Sequence, residues 1–281
     1  MQDTRIPRNY TLNLRGRLSF FTGPSIMGII NTTPDSFYVG SRTFEIEGAL
    51  RQAEKMLSAG ASWLDIGGVS TRPGSEPVTE KEELDRVIPV IEALYQQFPE
   101  AGISVDTYRS RVALEAVSAG ACMVNDISGG RWEGDFINTI ASLRVPYVLM
   151  HSTGTRETLH EVPANRNILT EVYDFFSKNI YRLHQAGIHD IILDPGIGFG
   201  KTIAENFLLI KNLSLFNDLS CPLMLAVSRK SFIYKTLGLT PEEALNGTTV
   251  LHTAGLLQGA SILRVHDVAA AREVIELSSY L

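Results

Sequence analysis

The chain has 281 residues, 44% of them hydrophobic, with two cysteines and a formal net charge of −6. That length suits one α/β barrel of roughly 250 residues, large enough to fold without disulfide or metal staples. The acidic balance argues against a general nucleic-acid binder, and Cys122 and Cys221 lack the spacing of a zinc or redox motif.

Taken in chain order, residues 10–20 alternate apolar and polar side chains around Arg15-Gly16 and read as a β-hairpin, placed to plug the N-terminal mouth of a barrel. Nearly continuous hydrophobic runs follow at 25–31, 63–68, 102–107, 122–127, 147–151, 190–195, 222–228 and 261–267. Such runs mark strands buried on both faces of a parallel sheet. Between them, apolar residues recur at three- and four-residue spacing over 45–59, 80–97, 109–119, 134–143, 167–186, 203–216 and 242–258, and a last helix fits 268–280. Thr79 with Glu82 forms a capping-box pattern, and Gly60, Gly120 and Gly187 stand where helices should stop. No linker or low-complexity tract divides the chain, so the expectation is a single domain over 1–281, a (β/α)8 TIM barrel with an N-terminal β-hairpin. The N-terminus is polar, and no apolar run approaches the roughly 18 residues of a membrane span, so a soluble, cytoplasmic protein is expected.

One stretch raises a different possibility. Residues 194–202, D-P-G-I-G-F-G-K-T, end like a nucleotide-binding P-loop. Pro195, however, stands where that loop needs a glycine, and Gly196, Gly198 and Gly200 do not fit the dinucleotide pattern either.

Barrel active sites lie at the C-terminal ends of the strands. Polar residues gather there: Asn31, Asp65, Asp106, Asn125, Asp126, His151, Asp194, Ser228-Arg229-Lys230, and Arg264 with His266 and Asp267. Asp106, Asn125 and Asp194 suit the N–H and amino groups of a flat heterocycle. Arg72, Lys230, Arg264 and His266 suit an anion such as phosphate or pyrophosphate. Heterocycle plus phosphate is the ligand these residues imply.

Seven collinear motifs then become specific: M-G-I-I-N-T-T-P-D-S-F (27–37), D-I-G-G-V-S-T-R-P-G (65–74), S-V-D-T (104–107), N-D-I (125–127), D-P-G-I-G-F-G-K (194–201), S-R-K-S (228–231) and R-V-H-D-V (264–268). With them the chain resembles the dihydropteroate synthases of the pterin-binding TIM-barrel group over essentially its whole length. The resemblance implies condensation of 7,8-dihydropterin-6-ylmethyl diphosphate with 4-aminobenzoate, giving 7,8-dihydropteroate and pyrophosphate in folate biosynthesis. It implies a pterin pocket of Asp106, Asn125, Asp194, Phe199 and Lys230. It places the diphosphate at Asn31, Arg72, Arg264 and His266, Mg²⁺ on Asn31, and 4-aminobenzoate at Thr71, Arg72, Pro73, Lys230 and Ser231. Asp106, Lys230, Arg264 and His266 are the catalytic set so implied. Lys201 and Thr202 then read as surface residues that begin the sixth helix. The family is also a sulfonamide target and typically a homodimer through its last helices, where Thr253-Ala254-Gly255-Leu256-Leu257 is small and apolar.

The chain departs from the family pattern at Tyr38-Val39-Gly40, where Ser-Asp-Gly is usual, at Val69 in place of Glu, and at H-S-T-G-T-R after the fifth strand. The long loops 32–43 and 69–78 are expected to close over the ligand. His160, His184, His189 and His252 read as surface or packing residues, Asp126 and Asp267 as helix caps, and Arg229 as half of an ion pair. Asp65 reads either as a structural carboxylate or as a support for the site. Two other readings share the barrel: a methyltetrahydrofolate–corrinoid methyltransferase, which needs neither S-R-K nor R-V-H-D, and a noncatalytic pterin-binding paralogue.

Overall fold

Residues from 25 to 30 and from 63 to 67 are buried without exception, as strands covered on both faces require. The structure is a computed structural model and describes residues 10–32, 42–70 and 75–281, with no side chain described for 42–45. A hairpin, β1 (Tyr10–Leu14) and β2 (Arg17–Phe21), precedes β3 (Ser25–Asn31). Helices and strands then alternate: α1 (Arg42–Ser58), β4 (Trp63–Gly67), α2 (Glu80–Gln97), β5 (Gly102–Asp106), α3 (Ser110–Ala119), β6 (Met123–Asp126), α4 (Phe136–Leu143), β7 (Tyr147–Met150), α5 (Ile168–Gln185) and β8 (Ile191–Asp194). The chain continues through α6 (Ile203–Lys211), a 3₁₀ segment (Leu213–Leu219), β9 (Met224–Leu225), α7 (Ser231–Leu237), α8 (Leu245–Leu257), β10 (Ile262–Val265) and α9 (Val268–Ser278).

Among the described residues, eight parallel strands run in the order β8-β7-β6-β5-β4-β3-β10-β9. A single parallel bridge, Leu193 with Leu223, joins the two ends of that order and closes the barrel. The helices lie outside it and bury an aliphatic layer against the strands. The (β/α)8 barrel with its N-terminal hairpin is therefore present as the hydrophobic runs predict.

The hairpin covers the N-terminal mouth. Leu12 packs among Met27, Trp63, Met123, Ile192, Met224 and Ile262, and the Phe21 ring stacks on Trp63 with centroids 5.6 Å apart. The Asn13 N–H donates to Asp190 Oδ2 at 3.2 Å, and Arg15 donates to the Gly120 carbonyl.

Local signals act where the sequence places them. Glu82 N–H donates to Thr79 Oγ1 at 3.2 Å while Glu82 Oε2 accepts from Thr79 N–H at 2.8 Å, so α2 begins on the capping box. Three elements differ from the sequence reading. The 222–228 run pairs only over Met224–Leu225, because Pro222 has no N–H and the chain turns at Arg229, whose φ is 53°. The helix expected over 203–216 stops at Lys211 and tightens into the 3₁₀ segment. Helix α7, seven residues long, is absent from the hydrophobic pattern altogether.

Candidate active site

Sheet register sets the first part of the site. Asn31 pairs with Gly67, Gly67 with Asp106, and Asp106 with Asn125, so four strand ends line up at the C-terminal rim. The Gly67 Cα lies under both side chains, since a Cβ built there would meet Asn31 Oδ1 at 3.7 Å and Asp106 Cβ at 3.6 Å, ordinary contact distances.

Below that row, Asp65 is fully buried inside β4. Its Oδ2 accepts from Asn125 Nδ2 at 2.8 Å and from Arg264 Nε at 2.6 Å. Arg264 also donates through Nη2 to Asp106 Oδ2 at 2.7 Å. One guanidinium is thus shared by two carboxylates, which leaves an excess negative charge at the barrel mouth. Burial, with Asp65 and two more distant carboxylates adding to it, pushes the Asp106 carboxyl up to about 7 against the pull of Arg264. Burial opposes the Arg264 charge, but Asp65 and Asp106 outweigh it and raise its pKa. Sequence left Asp65 between two roles; geometry makes it the joint that orients Asn125 and Arg264.

The second part of the site is built from β8 and the loop that follows. Asp194 is buried, and its Oδ1 accepts the Gly196 N–H at 2.7 Å. Burial raises its pKa, opposed chiefly by Lys230. Lys230 donates to the Ile197 carbonyl, and its Nζ stands 4.5 Å from the centre of the Phe199 ring. Burial brings the Lys230 ammonium down to about 8 although Asp194 favours its charge. Phe199 leans on an apolar cluster of Ile127, Met150 and Leu159, and His160 stacks on the ring with centroids 5.7 Å apart. Ile127 and Met150, at the ends of β6 and β7, were missed by a reading that looked for polar residues, and only their strand-end positions could have signalled them.

The remaining candidates lie apart from these two groups or outside the description. His266 is exposed, and its Nδ1 lies 3.2 Å from Ser228 Oγ, which also accepts the His266 backbone N–H. Ser231 is exposed at the start of α7. Arg264, expected beside the diphosphate, is engaged with the two carboxylates described above. Thr71, Arg72 and Pro73 lie outside the described residues, as do Val39 and most of the 32–43 loop.

Several bland readings can be settled. Arg229 pairs with Asp267 through Nε at 2.7 Å and Nη2 at 2.9 Å, as expected. Asp267 therefore serves that pair and makes no side-chain capping bond to α9. Asp126 does not cap α4 either; it accepts from Ser128 N–H at 2.7 Å, Gly130 N–H at 2.6 Å and Tyr147 Oη–H at 2.6 Å, fixing the loop after β6. Thr202 caps α6 with Glu205, but Lys201 is not a surface residue. It is 8% exposed, and its ammonium faces backbone carbonyls of the glycine loop.

A parallel barrel whose mouth combines buried carboxylates, an amide and an aromatic wall defines an enzyme class that takes a flat, polar heterocycle. The family model for "Pterin binding enzyme" matches residues 27–266. A dihydropteroate synthase of Synechocystis is 42% identical over 259 residues, covering 91% of this chain and 89% of the relative. The solved structure of Xanthomonas albilineans dihydropteroate synthase with 4-aminobenzoic acid superposes with a TM-score of 0.90 at 38% identity, covering 97% of this chain and 98% of that one. The same organism's enzyme in complex with 7,8-dihydropteroate gives 0.86 at 36% identity, with 96% and 98% covered. The chain belongs to the dihydropteroate synthase family of pterin binding enzymes.

Proposed function

We propose that the chain, as one barrel domain, joins 7,8-dihydropterin-6-ylmethyl diphosphate to 4-aminobenzoate and releases pyrophosphate, yielding 7,8-dihydropteroate. The observation that carries this reading is the Asp65–Arg264–Asp106 arrangement beside Asn125: two carboxylates and an amide fixed around one guanidinium at the C-terminal rim of the barrel. Relatives of the same family have been solved with 4-aminobenzoic acid and with 7,8-dihydropteroate.

In this reading Asp106, Asn125 and Asp194 accept from and orient the pterin ring, and Phe199 with Ile127 and Met150 forms its apolar wall. The carbon–oxygen bond to the diphosphate breaks, and the electron pair leaves with the pyrophosphate. The methylene cation left behind is shared with the electron-rich ring and faces the excess negative charge of Asp65 and Asp106. The aromatic amine then forms the new carbon–nitrogen bond and loses a proton; being neutral at pH 7, it needs no strong base. His266 and Arg264 would steady the departing diphosphate.

Asn31 Oδ1 is a hard, neutral oxygen at the rim, of the kind Mg²⁺ accepts when its other ligands are water and phosphate. Asn31 would be this chain's ligand to the ion. When bound, it supplies charge neutralisation to the leaving group. Thr71, Arg72 and Pro73, with Lys230 and Ser231, would receive the aminobenzoate.

A homodimer through the last helices is part of the same proposal. Its support is not the small run in α8, because Gly255 turns inward, where a Cβ would lie 2.1 Å from Leu225 of the same barrel. Val250 and Leu257 of α8 and Leu277 of α9, exposed by 59%, 37% and 68%, are large apolar residues that face outward.

The test is pyrophosphate release that depends on 4-aminobenzoate. Release with both substrates and Mg²⁺, and none when the aminobenzoate is omitted, supports the synthase. Absence of release with both would leave a noncatalytic pterin binder, and methyl transfer from methyltetrahydrofolate to a corrinoid would reassign the chain to the second class.

A further inference from the structure

The loop that follows β8 has an unusual internal organisation. Gly196, Gly198 and Gly200 have φ of 65°, 86° and 54°, the left-handed region that glycine enters without strain. These turns aim successive carbonyls at side-chain cations. Lys201 Nζ donates to the Gly196 carbonyl at 2.8 Å and to the Phe199 carbonyl at 3.0 Å, and it lies 3.4 Å from the His151 carbonyl. The Ile197 carbonyl accepts from Lys230 and the Gly200 carbonyl from Arg166. The Gly198 N–H donates to Asn206 Oδ1 at 2.7 Å.

Lys201 is the centre of this arrangement. Its three N–H groups meet three carbonyls, from two βα loops, in a site closed to water. Ammonium burial of this kind is costly unless the donors are satisfied; two short bonds and one long one offset it here, while burial brings the Lys201 ammonium down to about 7 although Asp194 favours its charge. The two loop carbonyls it holds flank Ile197, the acceptor of Lys230, and one of them belongs to Phe199. Loop shape therefore fixes the Phe199 ring against both His160 and the Lys230 ammonium. Lys201 touches neither ring nor reacting atoms.

We infer that Lys201 is a positioning residue: by tying the Gly196 and Phe199 carbonyls to that of His151, it holds the aromatic wall and Lys230 in register for the heterocycle. The inference rests on the pterin reading given above. Its effect falls mainly on the heterocycle, because the loop carries Phe199 and follows Asp194, and it reaches 4-aminobenzoate only through Lys230, which the two substrates share.

The test uses the full chain with 6-hydroxymethylpterin as a fluorescent probe, alongside steady-state kinetics. Lys201→Met is expected to weaken pterin binding about tenfold, the equivalent of one lost hydrogen bond, and to raise KM for the pterin diphosphate by the same factor. KM for 4-aminobenzoate, which the loop reaches only through Lys230, should rise by clearly less than that factor. In a Phe199→Ala background the same change should cost less than it does in the wild type, because part of the action runs through the ring. Lys201→Arg keeps a buried charge but cannot bring one nitrogen to three carbonyls. It is expected to show the same selective loss, and it serves where Lys201→Met does not fold. Wild-type pterin affinity in a folded variant, equal losses for both substrates, or additive losses with Phe199→Ala would overturn the inference and leave the functional reading standing. A wild-type chain that does not bind the pterin would overturn both.

Discussion

Replacing Asp65 separates orientation from charge at the barrel mouth. Its Oδ2 holds Asn125 Nδ2 and Arg264 Nε at 2.8 and 2.6 Å with no solvent exposure. Asp65→Ala removes both acceptors, strands a buried amide and leaves Arg264 with Asp106 alone; breaking a buried pair in this way costs about 3–5 kcal/mol. Asp65→Asn keeps an oxygen in the same place but loses its charge. Charge-assisted hydrogen bonds are roughly twice as strong as neutral ones, so the two bonds together lose about 2 kcal/mol. Relief of the repulsion between Asp65 and Asp106 offsets part of that, leaving a net cost of about 1–2 kcal/mol. Urea denaturation with an unchanged m-value measures both costs, and kcat/KM for the pterin diphosphate should fall in the same order. Equal destabilisation by Asn and Ala, or stability within about 0.5 kcal/mol of wild type for both, would show that Asp65 is not the joint.

Four further outcomes are expected. Lys230→Ala should reduce turnover by far more than His184→Ala, which lies on the outer helix α5; equal effects in the pyrophosphate assay would mean the site is elsewhere. With the Asp106 carboxyl pushed up to about 7, its ionised fraction falls as pH drops through that value, so kcat/KM for the pterin substrate should decline on the acid side. Asp65→Asn removes one of the charges that raise it and should move that limb to lower pH; an unmoved limb in the pH profile assigns it to another group. Gly196→Ala should destabilise the fold by more than about 3 kcal/mol, since its Cβ would lie 1.9 Å from the His151 carbonyl at a φ of 65°, and near-native thermal unfolding would contradict the loop geometry. Arg229→Ala should cost about 1–2 kcal/mol at pH 7. Arg229 holds the Asp267 carboxyl below its usual range, so the stability from the pair is present above the unfolded carboxylate pKa and fades as pH falls through the lowered one. The gap between wild type and variant in chemical denaturation should therefore narrow in acid, to the part held by the Arg229 bonds to the Pro241 and Glu242 carbonyls.

Much of this architecture is legible in the sequence because it rests on periodicity. Residues 63–67 and 102–106 are strands where continuous apolar runs predict them, and α2 occupies 80–97 as the spacing and Thr79 indicate. Legibility fails where a residue's environment is made by backbone rather than by its neighbours in sequence. Lys201 looks like a helix-start cation because the carbonyls that surround it come from glycine turns and from His151, fifty positions away. Asp65 could not be assigned because its partners, Asn125 and Arg264, arrive from strands 60 and 199 positions distant. The second half of the 222–228 run is apolar for packing, yet the turn at Arg229 ends its pairing early. Ile127 and Met150 were hidden by their chemistry: an aromatic heterocycle needs an apolar wall, and apolar strand ends are indistinguishable from core.

The single bridge between Leu193 and Leu223 gives the barrel a seam. On one side stands β8, bearing Asp194 and the loop of Phe199; on the other, β9 leads within five residues to Lys230. The proposed heterocycle pocket therefore straddles a thinly paired join in the cylinder, where a single bridge, with Leu193 N–H donating to the Pro222 carbonyl at 2.9 Å, carries the ladder. A ligand that grips both banks works as a rivet. Its protection against amide exchange should be largest at Leu193 and its neighbours, and smaller at the well-paired strand ends that carry Asn31 and Asp106.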